Sequence, residues 1–219
     1  MSNWKTSSTI FQTPFTCCIS GPSGDGKTEI LQKILINKEA LFDKIPERIV
    51  FCYKIMQHAY EVFKLLDVPV EFVEGLPSES IKFDKSINNV LILDDLMAEV
   101  RDNVDMAAFF TRRSHHENIS IFFLSQNIFM KGKHARDISL NCTNLIIFNN
   151  PRDKVQIRYL GQQMFPKKNE GFMEIVNDAF SNSNGHGYLY LDFKQETPDN
   201  MRIQTGIIPG EERIIYTLK

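Results

Sequence analysis

Three short runs of apolar residues constrain the fold of this chain more than any other feature of its sequence. They occupy residues 90–93, 121–124 and 145–148, and none of them alternates apolar with polar residues. A strand that is apolar on both faces belongs inside a parallel sheet that helices cover on both sides. Helix-like segments separate these runs along the chain, which predicts an α/β fold with a central, mostly parallel sheet flanked by helices.

The same patterns predict the individual elements. Strands are expected over residues 15–20, 48–53, 70–73, 89–94, 119–125, 144–149 and 187–193, and helices over 27–37, 57–66, 103–116, 152–163 and 171–180. The tail 201–219 holds Pro209-Gly210 between two apolar stretches, which predicts a C-terminal β-hairpin. No internal repeat or long linker divides the chain, so we expect a single domain over residues 1–219.

A glycine-rich segment follows the first predicted strand and precedes a predicted helix. It reads Gly21-Pro22-Ser23-Gly24-Asp25-Gly26-Lys27-Thr28 and fits the pattern G-x-x-x-x-G-K-[ST]. Its glycines allow successive backbone N–H groups to turn toward an anion, and the helix N-terminus adds positive charge. The segment therefore predicts a phosphate-binding loop for ATP, in which Lys27 bridges the β- and γ-phosphates and Thr28 holds Mg²⁺.

Two carboxylates and an amide follow the next two apolar runs. Asp94 and Asp95 come directly after residues 90–93, and Gln126 follows the strand that ends at Ser125. Parallel strands end at one edge of a sheet, so these side chains are expected beside the phosphates. Asp94 is the candidate ligand of Mg²⁺, Asp95 the candidate group that polarises the attacking water, and Gln126 the candidate sensor of the γ-phosphate.

The order of these motifs resembles the FtsK–HerA superfamily of P-loop motors, which belongs to the additional-strand class of P-loop NTPases. Within it the chain is most similar to the viral genome-packaging ATPases of poxviruses, giant viruses, virophages and Polinton-type elements. The stretches that carry the resemblance are Leu91-Ile92-Leu93-Asp94-Asp95, Thr111-Arg112-Arg113-Ser114-His115-His116, Leu124-Ser125-Gln126-Asn127 and Asn149-Asn150-Pro151-Arg152-Asp153. The superfamily usually has Asp-Glu where this chain has Asp94-Asp95, and the shorter second acid reaches less far.

The resemblance implies an ATP-driven ring, expected to be a hexamer, that threads double-stranded DNA into a preformed capsid. It also implies partner proteins at the capsid vertex and a location inside the host cell, in the cytoplasm or nucleus, or with the virion. Active sites of such rings lie between subunits and use an arginine from the neighbour. By its position the candidate is Arg152, ahead of Arg158, and Asn150 and Pro151 are expected to begin the helix that carries both.

Basic residues cluster after the strand that ends at Ser125. Lys131, Lys133 and Arg136 are the candidate DNA contacts, since in a ring this loop would be repeated around the pore. Arg112 and Arg113 either signal between subunits, as the resemblance implies, or complement a helix C-terminus. His115 and His116 do not have the spacing of a zinc site.

Charge, cysteines and hydropathy exclude other classes. The 219-residue chain has a formal net charge of −2, which excludes a globally basic DNA-binding protein but leaves local basic patches open. Its four cysteines have no CxxC spacing and fit reduced, buried thiols of an intracellular protein. No apolar run exceeds five residues, so no membrane partner is expected.

Three other functions remain open on the sequence. A small nucleotide kinase would have a P-loop and a similar length, but it would need an arginine-rich lid that is not evident here. A P-loop scaffold would bind ATP only in order to assemble. Another FtsK–HerA motor, for conjugation or segregation, would share every motif of the site.

Overall fold

Residues 10–78, 81–129, 131–181 and 187–218 are described by a computed structural model of the chain. The strands are β1 (Thr16–Ser20), β2 (Arg48–Tyr53), β3 (Val70–Glu74), β4 (Asn89–Asp94), β5 (Ile119–Ser125), β6 (Asn144–Phe148), β7 (Tyr188–Asp192), β8 (Ile203–Thr205) and β9 (Ile214–Tyr216). The α-helices are α1 (Lys27–Ile36), α2 (Lys38–Leu41), α3 (Met97–Arg101), α4 (Val104–Ala108), α5 (Ser114–His116), α6 (Ala135–Leu140), α7 (Lys154–Met164) and α8 (Asn169–Ser181). Residues His58–Leu65 and Asp199–Met201 form 3₁₀ helices, and Phe109–Arg113 forms a π-helical turn.

The strands form one sheet in the order β3-β2-β4-β5-β1-β6-β7-β8-β9. Neighbours from β3 through β6 pair in parallel, and β7, β8 and β9 continue the sheet antiparallel. The additional strand β5 lies between β1 and β4, so the predicted α/β fold of the additional-strand class is confirmed. Ser20 pairs with Ser125 and Asp94 with Leu124, so β1, β5 and β4 end at the same edge.

The two faces of the central strands explain why their sequences do not alternate. Leu91 and Leu93 of β4 belong to an apolar cluster on one face of the sheet. Val90 and Ile92 belong to a second cluster on the other face, where the helix α1 packs. Because both faces are covered, a polar residue at any of these positions would be buried.

The helical segments depart from the sequence prediction in local type and in their first residues. The predicted helix 57–66 is a 3₁₀ helix, and the predicted helix 103–116 is interrupted by the π-helical turn. The expected cap formed by Asn150 and Pro151 is wrong, because α7 begins at Lys154. Asn150 instead closes a turn, in which its Oδ1 accepts a hydrogen bond from the Arg152 N–H at 3.1 Å.

The C-terminal hairpin is confirmed. β8 and β9 pair antiparallel through Gln204 and Ile215, at the edge of the sheet beyond β7. Gly206, at the start of the connection, has φ +65, and a Cβ there would lie 2.0 Å from the Glu212 carbonyl oxygen. Only glycine fits that position of the hairpin.

Two further predictions concern cysteines and membranes. Cys17, Cys18, Cys52 and Cys142 are all free and buried, as expected of reduced thiols. Within the described ranges no helix combines the length and apolar character needed to cross a membrane.

Candidate active site

The phosphate-binding loop runs from the end of β1 to the start of α1. Gly24 and Gly26 have φ values of 88° and 93°, in the left-handed region that favours glycine. Gly26 also caps α1, and its carbonyl accepts the hydrogen bond of the Ile30 N–H at 2.8 Å. The loop therefore has the conformation that the motif predicts, with the helix N-terminus directly behind it.

The Lys27 side chain forms hydrogen bonds with the backbone of the loop. Its Nζ donates hydrogen bonds to the carbonyl oxygens of Gly21 at 2.7 Å and Pro22 at 2.6 Å. Burial lowers the pKa of the Lys27 ammonium from its usual value, and nearby carboxylates, chiefly that of Asp94, oppose this shift. A bound phosphate oxygen would accept the hydrogen bonds that these two carbonyls accept now.

Asp94, the last residue of β4, is a buried carboxylate with one strong donor. It is 6% exposed, and the Tyr60 hydroxyl donates a hydrogen bond to its Oδ2 at 2.9 Å. Burial raises the pKa of Asp94, while the Tyr60 hydrogen bond and the Lys27 ammonium lower it. The sequence does not predict this contact of Tyr60, because no spacing links the 3₁₀ helix His58–Leu65 to the end of β4.

Asp95 differs from Asp94 in exposure and in backbone conformation. It is exposed and has φ +56, a left-handed conformation that Asp adopts more readily than most residues. This turn ends β4 and lets Leu96 return to the core, where it is 1% exposed. Asp95 therefore lies at the surface of the cleft, next to the buried Leu96.

A cleft of about 360 Å³ brings the predicted groups together. Its lining comprises Ser23, Gly24, Gly26, Lys27, Thr28, Glu29, Gln57, Ala59, Asp94, Asp95, Met97, Leu124, Ser125 and Gln126. The phosphate loop, the two acids and the predicted sensor thus share one opening at one edge of the sheet. Three lining residues were not predicted. Gln57 and Ala59 come from a segment that the sequence does not connect to the motifs, and Met97 follows Asp95 by two residues.

Gln126 is exposed at the end of β5, and the residues around it are fixed by hydrogen bonds. The Gly21 N–H donates to the Ser125 carbonyl oxygen at 3.1 Å, which joins the phosphate loop to the sensor strand. Ser125 Oγ donates to the Asn127 carbonyl oxygen at 2.7 Å and accepts from the Asn127 N–H at 3.2 Å. The backbone on both sides of Gln126 is therefore held in place.

The candidate arginines do not line the cleft of their own chain. Arg152, in the turn before α7, and Arg158, on that helix, are both exposed. Arg113 forms a two-pronged ion pair with Glu117, at 2.9 Å for each prong, and its guanidinium lies 3.8 Å from the centre of the Phe109 ring. Arg112 is exposed and so is the more available of that pair.

The basic cluster extends from the loop after β5 into the first turn of α6. Lys131, Lys133 and Arg136 are all exposed. The backbone N–H of Lys133 donates to Asp102 Oδ1 at 2.9 Å, which anchors the loop near the end of α3. Among the residues with described positions, no three His, Cys, Asp or Glu side chains are grouped to hold a metal.

The residues of the cleft fit a magnesium–nucleotide complex. The Thr28 hydroxyl and the Asp94 carboxylate are hard oxygen donors of the kind that Mg²⁺ takes together with phosphate oxygens. A Cβ at Gly24 would meet no atom within 4 Å, so open space and not packed protein lies beside this part of the loop. Bound there, Mg²⁺ would supply a positive charge that neutralises phosphate oxygens.

Comparison with known proteins rests on structure. No protein-family model matches the sequence, and no curated protein sequence matches it either. B204, the DNA-packaging ATPase from Sulfolobus turreted icosahedral virus, matches with a TM-score of 0.55 and 11% identity, over 94% of this chain and 98% of that chain. The genome packaging NTPase B204 from Sulfolobus turreted icosahedral virus 2, in complex with AMPPCP, matches with a TM-score of 0.56 and 11% identity, over 88% and 97%.

A secretion ATPase has a similar domain. The cytoplasmic domain of the type VII secretion ATPase EccC from Thermomonospora curvata matches with a TM-score of 0.55 and 12% identity. That match covers 94% of this chain but 25% of the other. At such identities the likeness is one of fold, and the fold of this chain is that of the P-loop ATPases. The predicted P-loop ATPase fold is confirmed.

Proposed function

We propose that this protein is an ATP-hydrolysing ring motor, expected to be a hexamer, that moves double-stranded DNA into a viral capsid. The observation that carries the proposal is the cleft, in which the phosphate loop, Asp94, Asp95 and Gln126 meet at one sheet edge. The shared fold with a DNA-packaging ATPase supports the choice of polymer and destination. Proteins of the capsid vertex are the further partners, inside the host cell or the virion.

Binding is assigned to the loop and to Asp94. Residues Gly21–Thr28 surround the triphosphate, and the Lys27 ammonium moves from its two loop carbonyls to the β- and γ-phosphate oxygens. Thr28 and Asp94 hold Mg²⁺. The Tyr60 hydroxyl donates to Oδ2 of Asp94, so we assign the metal to the other oxygen of this carboxylate, which lines the cleft.

Hydrolysis is assigned to Asp95 and Gln126. The water oxygen attacks the γ-phosphorus, the bond from that phosphorus to the β–γ bridging oxygen breaks, and ADP leaves with the electron pair. Asp95 accepts a proton from the water, and the Gln126 amide holds the water in line. An exposed Asp95 on a strained turn is well placed for this role, because it is free of the packing that fixes Asp94.

The neighbouring subunit completes the site. Arg152 in the turn before α7, or Arg158 on that helix, supplies a guanidinium that neutralises the charge on the transferred phosphoryl group. Their exposure outside the cleft of their own chain supports action on the cleft of a neighbour. Lys131, Lys133 and Arg136 bind DNA phosphates without regard to sequence, as a translocating motor requires.

The proposal is tested by phosphate release and by displacement of a triplex-forming oligonucleotide from duplex DNA. Wild type is expected to hydrolyse ATP faster with duplex DNA and to displace the oligonucleotide only while ATP is hydrolysed. Lys27→Ala and Asp95→Asn are expected to lose at least about 100-fold in rate, within the range of catalytic groups. Asp105→Asn, at an exposed acid on α4, is the matched control and should retain wild-type activity.

Three results would reject the proposal. The first is wild-type hydrolysis that survives both substitutions in the cleft. The second is tight ATP binding with no turnover in the assembled ring, which would identify a scaffold instead. Transfer of the phosphoryl group to a nucleotide rather than to water would identify a kinase.

A further inference from the structure

Gln156, in the first turn of α7, forms hydrogen bonds to two surface segments, the loop after β5 and the turn before α7. These segments have separate roles in the proposed mechanism. Its Oε1 accepts a hydrogen bond from the Phe129 N–H at 3.1 Å. Its Nε2 donates to Asn127 Oδ1 at 3.1 Å and to Asp153 Oδ2. One half-buried amide therefore holds the loop after β5 and the turn before α7 at the same time.

The first of these parts is the end of the sensor strand. Asn127 directly follows Gln126, and Ser125 Oγ fixes its backbone through two hydrogen bonds. Ser125 in turn accepts the N–H of Gly21 from the phosphate loop. A shift of Gln126 toward or away from a γ-phosphate would therefore reach Gln156 through Asn127.

The second part is the turn that carries Arg152. The Asn150 side chain accepts the Arg152 N–H, and the Asn150 carbonyl accepts the Asp153 N–H at 3.2 Å. Asp153, the last residue before α7, is the one that Gln156 holds. The position of Arg152 is therefore tied, through one residue, to the Gln156 amide.

Only a small pocket separates the two parts. A gap of only about 10 Å³ remains among Gly21, Gln126, Asn150, Asp153 and Gln156, no more than one water molecule could fill. Packed elements of this kind shift together rather than deform gradually. A carboxamide is suited to the junction, since it offers a donor and an acceptor from one side chain.

We propose that Gln156 is a positioning residue that transmits the nucleotide state sensed at Gln126 to Arg152. The proposal rests on the function proposed above, because it assigns Arg152 to the site of a neighbouring subunit. Gln156 touches neither nucleotide nor water in this account. When nucleotide fills the cleft of its own subunit, Gln156 determines the position of Arg152. Because Arg152 acts on the neighbouring subunit, Gln156 couples successive subunits of the ring.

The test uses Gln156→Leu, which keeps the size of the side chain and removes all three hydrogen bonds. Gln163→Leu, at an exposed position two turns further along the same helix, is the matched control. A second variant, Gln156→Glu with Asp153→Asn, exchanges the donor and acceptor of the pair. Rotation of the Asn127 amide lets that residue donate to the new carboxylate, so this variant is expected to restore the junction.

Hydrogen exchange of the assembled protein is measured with and without AMPPNP. In wild type and Gln163→Leu, the analogue is expected to alter exchange in both 126–134 and 149–158. In Gln156→Leu it should alter exchange only in 126–134. Steady-state kinetics should show a KM for ATP within about twofold of wild type and a kcat lower by about tenfold, equivalent to about 1.4 kcal/mol. The exchanged pair should recover both readouts.

An analogue-dependent change at 149–158 that persists in Gln156→Leu would overturn the proposal. So would a raised KM with unchanged kcat, or failure of a folded exchanged pair to recover the exchange pattern. These outcomes are distinct from failure of the proposed function, because the exchange measurement requires nucleotide binding but no hydrolysis. If wild type binds AMPPNP but does not hydrolyse ATP, the proposed motor function is rejected. The coupling between residues 126–134 and 149–158 can still be measured in that case.

Discussion

The Tyr60–Asp94 hydrogen bond offers the sharpest test of how the cleft is built. Tyr60→Phe removes one hydroxyl from a side chain that is 0% exposed and leaves the ring packing against Phe51, whose centre lies 4.6 Å away. The hydroxyl donates to a carboxylate that is itself buried. Hydrogen bonds to charged groups contribute about 1.5–3 kcal/mol, so we expect the free energy of unfolding to fall by that amount at pH 8.

The sign of the pH dependence follows from Asp94. Burial raises its pKa, so its ionised form lowers stability at high pH, and this penalty is lost as pH falls through the folded pKa. The Tyr60 hydrogen bond lowers the pKa of Asp94, so Tyr60→Phe should raise it further. The variant then takes up its proton at higher pH than wild type, and the stability difference between them should narrow as the pH falls from 8 through the folded pKa of Asp94. Burial raises the pKa of Tyr60 itself, so it remains a donor throughout.

Urea denaturation across this pH range measures the difference. Tyr159→Phe, at an exposed tyrosine on α7, is the control and should match wild type at every pH. A stability difference below about 0.5 kcal/mol at pH 8, or one that does not narrow at low pH, would refute the assignment of Tyr60 as the support of an ionised Asp94.

Three further variants test the phosphate loop, the basic cluster and the packing of α7 on α8. Gly21→Ala would place a Cβ 2.7 Å from the Phe148 Cβ, and it should lower stability by about 1–3 kcal/mol and weaken binding of ATP analogues, measured by denaturation and by calorimetry. Lys131→Ala with Lys133→Ala should reduce the slope of log K for duplex DNA against log salt by about 1.8, and an unchanged slope would remove this loop from the DNA contact. Gly161→Ala would bring a Cβ to 2.4 Å from a buried phenylalanine ring on α8, and it should lower stability by about 1–3 kcal/mol without changing the KM for ATP.

The central sheet could be predicted because its sequence signal is local. The strands β2, β4 and β5 have the bounds that their apolar runs predict, since both faces of each are covered and the run ends where the cover ends. The phosphate loop is similarly local, because its glycines and Lys27 lie within eight consecutive residues. The apolar runs and the phosphate loop together also predict which edge of the sheet carries the cleft.

The supports of the site could not be predicted, because they join residues far apart in the chain. Tyr60 and Asp94 are 34 positions apart, and Gln156 and Asn127 are 29 apart. No spacing in the sequence distinguishes these two side chains from others of their type. The start of α7 was misplaced for a related reason, since Asn150 and Pro151 suit a helix cap and a tight turn equally well, and the contact of Asp153 with Gln156 favours the turn.

The most direct test of the central claim is a structure of the assembled protein with AMPPNP and Mg²⁺. We expect the triphosphate along residues 21–28, the metal between Thr28 and Asp94, the γ-phosphate beside Asp95 and Gln126, and an arginine of an adjacent subunit within hydrogen-bonding distance of it. A nucleotide bound elsewhere, or a filled cleft that no adjacent subunit approaches, would contradict the account.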